Sequence, residues 1–235
     1  MKAVEKRNLV VKEVIKPLLK QAGFRCKKTS WWKELEDGYL FVYMKNSIFN
    51  SQQTGSSFCF QFSASYANEI HDSLENQWIE NQCSCLEERD FLPYHGLFSQ
   101  NRSNGLGYQI DGYKNYQLLD TPVEEIISQI KNDFEQYILP AITDVKCVQD
   151  FTNLKEKAQK RLESTEFRLL RFYSLMQMYC CDDSNLELAV QTLKEDPLTK
   201  EEIYSHYDWL DIITKNSAFP DMDAKVFIEK VIAKV

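Results

Sequence analysis

Residues 39–44 read Tyr39-Leu40-Phe41-Val42-Tyr43-Met44, six apolar or aromatic side chains in a row. Successive side chains on an extended strand point to opposite faces, so this run belongs to a central strand covered on each side. A sheet that something packs against on both faces is therefore the first element of the fold. Working back, Glu36-Asp37-Gly38 is a turn signal, and residues 24–34 before it have left helical spacing, so the two runs pair as a β-hairpin. Working forward past the polar stretch Asn46 to Ser57, the residues Phe58, Phe60, Phe62, Ala64 and Tyr66 alternate with Cys59, Gln61, Ser63 and Ser65. That alternation predicts a half-buried third strand. Weaker strand patterns cover 91–98 and 113–119, separated by an Asn/Ser/Gly-rich surface loop at 101–107.

Helices flank these strands along the chain. Val11, Val14, Ile15, Leu18, Leu19 and Ala22 recur at helical spacing, which predicts an amphipathic helix over 3–22 that Gly23 stops and Pro17 kinks or divides. Thr121-Pro122-Val123-Glu124 combines a capping-box pattern with Pro at the first helical position. Ile126, Ile127, Ile130, Phe134, Tyr137 and Ile138 then give that helix an apolar face, and Pro140 marks its end. Four or five helices are expected after it. Phe167 to Cys180 is apolar nearly all round, as a buried helix is, while Ser184 to Glu187 and Thr199 to Glu202 repeat the capping-box pattern. The expected class is α+β: residues 1–148 form a mainly antiparallel sheet with an N-terminal helix and packed helices, and 149–235 form a helical region packed on it as the second cover.

Composition agrees with a packed chain. Of 235 residues 43% are hydrophobic, while only seven Gly and six Pro are present, so collagen-like and low-complexity classes are excluded. No run approaches the roughly eighteen apolar residues of a membrane helix. Lys12, Glu13 and Lys16 interrupt the apolar residues that follow the basic start, so no export signal is read, and the seven cysteines read as reduced thiols. The expected compartment is the cytoplasm. The net charge of -7 is uneven: residues 1–28 carry nine Lys or Arg against two Glu, and residues 29–150 carry seven against eighteen acids. An acidic middle disfavours general nucleic-acid binding and suits a basic protein partner.

The order of these features resembles the bacterial domain-of-unknown-function 4304 family over about residues 8–145. The resemblance rests on an amphipathic helix ending in Gly23-Phe24, the basic Arg25-Cys26-Lys27-Lys28, the aromatic Trp31-Trp32, alternating strands and a Pro-terminated helix. Gln61-Phe62-Ser63-Ala64 departs from the Asn-x-Gly character of the family's third strand, and nothing in the family accounts for 150–235. The family has no established catalytic residues, so the resemblance implies a fold and no reaction. By analogy, small acidic α+β proteins of this kind serve as immunity partners of bacterial toxins.

No spacing in the sequence reads as a catalytic or metal centre. Cys83-x-Cys85 and Cys180-Cys181 lack the two-to-four-residue spacing of paired zinc ligands. His71, His95 and His206 form no His-Glu-x-x-His pattern, although Cys59 with His95 remains open as a pair assembled in space. Gly105-Leu106-Gly107 is no phosphate cradle, and Glu87-Glu88 and Glu124-Glu125 are adjacent acids that point apart. Lys155, Lys157, Lys160, Arg161, Arg168 and Arg171 are interleaved with Glu156, Glu163 and Glu166, the pattern of a solvated helix face. Trp31 and Trp32 are adjacent and point to opposite faces, so at most one enters the main core, and Trp31 is assigned the role of binding anchor.

The reading is a non-catalytic protein-binding module, an immunity-type inhibitor of a basic bacterial toxin or similar partner. Trp31, Glu80, Glu87, Glu88, Asp90 and Asn104 are its expected contact residues, with no metal or cofactor. Two alternatives stand beside it: an enzyme using a pocket between the sheet and the C-terminal helices, and nucleic-acid binding through the basic helices.

Overall fold

The computed structural model describes residues 1–47, 50, 55–70, 74, 85–93, 107–111, 113–114, 117–118, 120–180, 183–215 and 223–235. Its class is α+β, as the sequence predicts. The chain divides into two compact units: Met1–Leu97, Asn101–Tyr113 and Leu118–Ala158 make the first, and Phe98–Gln100, Lys114–Gln117 and Gln159–Val235 the second.

An antiparallel sheet organises the first unit, with β1 (Arg25–Lys27), β2 (Ser30–Glu34), β3 (Gly38–Asn46) and β4 (Ser56–Tyr66) neighbouring in chain order. The outer edge of β4 is shared by two short strands, β5 (Leu86–Glu87) opposite Gln61-Phe62 and β6 (Tyr108–Ile110) opposite Ser56–Phe58. Residues 24–34, expected as one strand, are two. Lys28 adopts a left-handed φ of 55° and turns the chain, so that Cys26 faces Trp31 across a tight hairpin. Phe91 and Leu92 lie in a turn and a bend, outside any strand, whereas 113–119 contains β7 (Tyr113–Lys114) paired with β8 (Gln117–Leu118).

The central strand behaves as its sequence requires. Leu40, Phe41 and Val42 are all fully buried, so both faces of β3 are covered. On β4 the expectation of a half-buried strand fails, because the polar row Gln61, Ser63 and Ser65 is buried too. The register explains this: Ser63 lies opposite Phe41 and Gln61 opposite Tyr43, so the polar row shares the burial of the aromatics beside it.

Two helical runs of this unit pass through a proline by the same device. After α1 (Ala3–Val10), a π stretch over Val11–Ile15 leads into α2 (Lys16–Gln21), whose first turn holds Pro17. Proline offers no N–H and its ring crowds the carbonyl of the preceding turn; a widened turn, in which the Lys16 N–H reaches the Val11 carbonyl, makes room. Likewise α3 (Val123–Asp133) continues through a π stretch over Phe134–Ile138 into α4 (Leu139–Thr143), which contains Pro140. Pro140 therefore does not end the helix. Gly23 does end α2, with φ 88°, the Phe24 N–H bonded to the Leu19 carbonyl and the Gly23 N–H to that of Lys20. This is a Schellman stop, closed by buried Leu19 and Phe24.

Side chains from α1, α2 and α3 meet the Leu40-Val42-Met44 face of the sheet in one core. Phe60 is its hub, its ring lying 5.0 Å from that of Phe134 and within 6.5 Å of Trp31, Phe58 and Tyr108. Tyr108 donates to the buried Asp133 carboxylate on α3 at 2.9 Å.

Six helices begin after residue 140 among the described residues, against four or five expected: α5 (Val148–Leu162), α6 (Thr165–Tyr179), α7 (Leu186–Glu195), α8 (Lys200–Ser205), α9 (Asp208–Lys215) and α10 (Ala224–Ile232). The expected all-apolar α6 buries Leu169, Leu170, Phe172, Tyr173 and Met176 within the second unit. Of the two later capping boxes only Thr199 forms one, its hydroxyl accepting from the Glu202 N–H and the Glu202 carboxylate from the Thr199 N–H. At α7 the N-cap is Asn185, which makes no side-chain capping bond. Glu229 on α10 accepts from both the Tyr204 and Tyr207 hydroxyls, tying α10 to α8 and to the turn that follows it. Among the described residues no helix is long and apolar enough to cross a membrane.

Candidate functional site

The acidic side chains expected to meet a partner are turned to internal donors. Glu87, at the end of β5, is half-buried, ion-paired with Arg89 at 3.1 Å and within 3.4 Å of the Gln61 amide. Asp90 accepts the Glu87 N–H at 2.7 Å and so closes the short 3₁₀ turn Glu88–Asp90. Glu88 is 1% exposed. Its carboxylate accepts the backbone N–H of Phe60 at 2.6 Å, in the stretch of β4 that lies between the residues paired with β6 and those paired with β5. A buried strand N–H needs an acceptor, and Glu88 supplies it. As a surface contact Glu88 is therefore corrected to a structural residue. Glu80 and Asn104 lie outside the described residues.

Trp31 is also corrected as an anchor, being 1% exposed and packed against Phe60. The hairpin register sets this, placing Trp31 opposite Val42 on the main core face and Trp32 opposite Phe41 on the other. Trp32 is only half-buried.

Around Trp32 the sheet has a distinct chemistry. Arg25, Cys26 and Lys27 of β1 are all exposed, as is Lys28 in the turn, and β1 is the terminal strand of the sheet among the described residues. Arg25 lies directly opposite Trp32, and the row continues inward through Phe41 to Ser63. Among the described residues neither Arg25 nor Lys28 makes a salt bridge. Farther in, the rings of Phe41 and Tyr43 stack at 5.9 Å with planes 11° apart, and burial pushes the Tyr43 hydroxyl well up. The face thus grades from cations on the terminal strand to a buried aromatic interior.

The thiols argue against nucleophilic use. Burial first, then the charges of Glu88 and Glu87, push the Cys59 thiol up to about 12, so at neutral pH it holds its proton. Burial also raises Cys85. We expect iodoacetamide at neutral pH to label exposed Cys26 and leave Cys59 unmodified in the folded chain, read by peptide mass mapping; rapid labelling of Cys59 would restore it as a nucleophile candidate. His95 and His71 lie outside the described residues, as do Cys83 and Cys181, and His206 meets Ser205 and the Trp209 ring. Among the described residues no three His, Cys, Asp or Glu side chains group to hold a metal.

Of the basic helical stretch, Arg168 is bound to Asp196 at 2.7 Å and to the Pro197 carbonyl, and Arg161 lies 5.9 Å over the Phe167 ring. No family model, curated protein or solved structure matches this chain.

Proposed function

We propose that the chain is a non-catalytic protein-binding module that receives an extended, acidic segment of a partner protein along the β1–β2 edge. The observation that carries this reading is half-exposed Trp32 held directly opposite Arg25 of β1, the terminal strand of the sheet among the described residues. An extended segment laid along a terminal strand gains main-chain hydrogen bonds, and side chains at alternate positions select it. Trp and Arg are the residues in which interface energy concentrates. Lysines on an edge repel indiscriminate strand pairing between like chains, and the same charge admits an acidic strand. A basic partner, the expectation from net charge, fits less well, because Glu87, Glu88 and Asp90 are engaged internally. The resemblance to the domain-of-unknown-function 4304 family adds a fold and no chemistry to this reading.

Selection of short displayed peptides on the intact protein tests it. Enriched sequences should carry Asp or Glu at alternate positions. Their affinity should fall about tenfold or more on combining R25E with K28E, in line with the loss of charged hydrogen bonds. Both positions are exposed, so these changes should leave folding intact. Enrichment without acids, or binding indifferent to R25E and K28E, would overturn the proposal.

A further inference from the structure

Two phenols converge on one carboxylate in the second unit. Glu229 of α10 takes the Tyr204 hydroxyl on Oε2 at 3.0 Å and the Tyr207 hydroxyl on Oε1 at 2.7 Å. The two rings stand edge to face, with centroids 5.2 Å apart. Tyr204 and Glu229 are exposed and Tyr207 is half-buried, so solvent reaches the group.

The local fold holds these side chains in place. Thr199 and Glu202 cap α8 reciprocally, and the Tyr173 hydroxyl bonds the Ile203 carbonyl next to Tyr204. Tyr173 also packs against the Tyr207 ring. On the other side α10 starts from Asp223, whose carboxylate accepts the Val226 N–H, and it buries Phe227, Ile228 and Val231. Donors fixed in this way lose little freedom when a ligand arrives.

Charge points to the kind of ligand. Lys225 lies one turn before Glu229 on the same helix, at the i,i+4 spacing of a surface ion pair, yet it pairs with Asp211 at 3.3 Å instead. Glu229 makes no salt bridge among the described residues, so its charge has no cation beside it while both its oxygens accept phenol protons. No group of three His, Cys, Asp or Glu offers itself to a metal among the described residues, and it is the phenols that complete a donor set here. A cation replacing their protons would meet oxygen alone. Calcium and magnesium take carboxylates, carbonyls and water, whereas ferric iron accepts tyrosinate as a ligand.

We infer that Tyr204, Tyr207 and Glu229 form a binding site for a ferric ion. Both phenol protons leave to solvent and no electron moves. Two phenolates and one carboxylate then balance the three positive charges of the iron, and water fills its other positions. The site lies within the second unit and does not rest on the reading of the β1–β2 edge.

The experiment is a titration of the full chain with ferric nitrilotriacetate, read by visible absorption. Phenolate on ferric iron gives an intense charge-transfer band, and iron on carboxylates alone gives none. The band should grow to saturation at a single equivalent. Tyr204→Phe and Tyr207→Phe should each weaken it, and the double variant should show no band. Glu229→Gln should lower the affinity for iron about tenfold or more, having lost the charged ligand. Phenylalanine keeps both rings in place, so the fold should survive. Iron bound without colour, or a band that persists in the double variant, would mean an adventitious ion only and would overturn the inference.

Discussion

Replacing Lys6 by Met is expected to destabilise the first unit by about 3–5 kcal/mol, the usual cost of removing one partner from a buried ion pair. The Lys6 ammonium is 4% exposed and uses all three of its protons: Asp111 at 2.7 Å, Asp120 at 2.5 Å and the Thr121 carbonyl at 2.7 Å. These contacts join α1 to the end of β6 and to the start of α3. Asp120 is 94% exposed at its side chain, so its share is screened by solvent and small. Asp111 is the costly partner, because without Lys6 its buried carboxylate keeps, among the described residues, the Thr121 N–H at 2.8 Å alone. A neutral amide at the same place should relieve part of that cost, so Asp111→Asn in the Lys6→Met background should recover stability rather than lose more. Burial works against the charge on Lys6, yet the hydrogen bonds and charges of Asp111 and Asp120 outweigh it and raise its pKa above the ordinary 10.5. A raised lysine contributes stability that is full below its unfolded pKa and is lost as pH rises through the folded one. Wild-type stability should therefore fall in alkaline solution, above about pH 10.5, more steeply than that of Lys6→Met. Urea titrations across pH measure both, and a loss under about 1 kcal/mol at neutral pH would mean the knot is not cohesive.

The same knot shows where sequence reading stops. Thr121 stands where a capping box is expected, yet its hydroxyl accepts the Asp111 N–H at 3.2 Å, and α3 starts from Pro122 without a side-chain cap. Local spacing identified the helix but not the competitor for its cap, which sits ten residues away in a left-handed conformation, φ 54°. Pro140 departs from expectation for a related reason: a proline normally stops a helix, and the widened turn before it, with Phe134 and Ile138 buried, lets the chain continue. The central strand, in contrast, was legible because an apolar run on both faces has one packing solution. Trp31 and Trp32 illustrate the limit for a site. A single strand over 24–34 would put Trp32 on the face of buried Phe24, but the left-handed Lys28 turn folds the strand back and puts Trp31 on the core face. Lysine is no turn signal, so parity could not be followed through it. Glu88 escaped for another reason, since its acceptor role depends on a bare N–H that exists only once β5 and β6 have both paired with β4.

Phe60→Ala is expected to cost about 3–5 kcal/mol, at the upper end for a single side chain in a core, whereas Phe60→Leu should cost markedly less. Phe60 is fully buried on β4 opposite Met44, and several rings surround it, with Phe134 at 5.0 Å nearly perpendicular, Phe58 at 5.9 Å and Tyr108 at 6.2 Å. Rings so arranged cannot collapse into a vacated site without giving up one edge-to-face contact to improve another, so a cavity should persist and its cost with it. Leucine keeps most of the volume and forfeits chiefly the ring contacts. Neither change touches the backbone N–H that Glu88 accepts, so the strand edge stays capped and the measured loss belongs to the side chain. Amide hydrogen exchange should show protection in β3 and β4 falling together in Phe60→Ala, because the sheet and the π stretch after α3 meet through this ring. Equal losses for Ala and Leu would mean that the neighbouring rings close over the gap and that Phe60 is not the hub of the core.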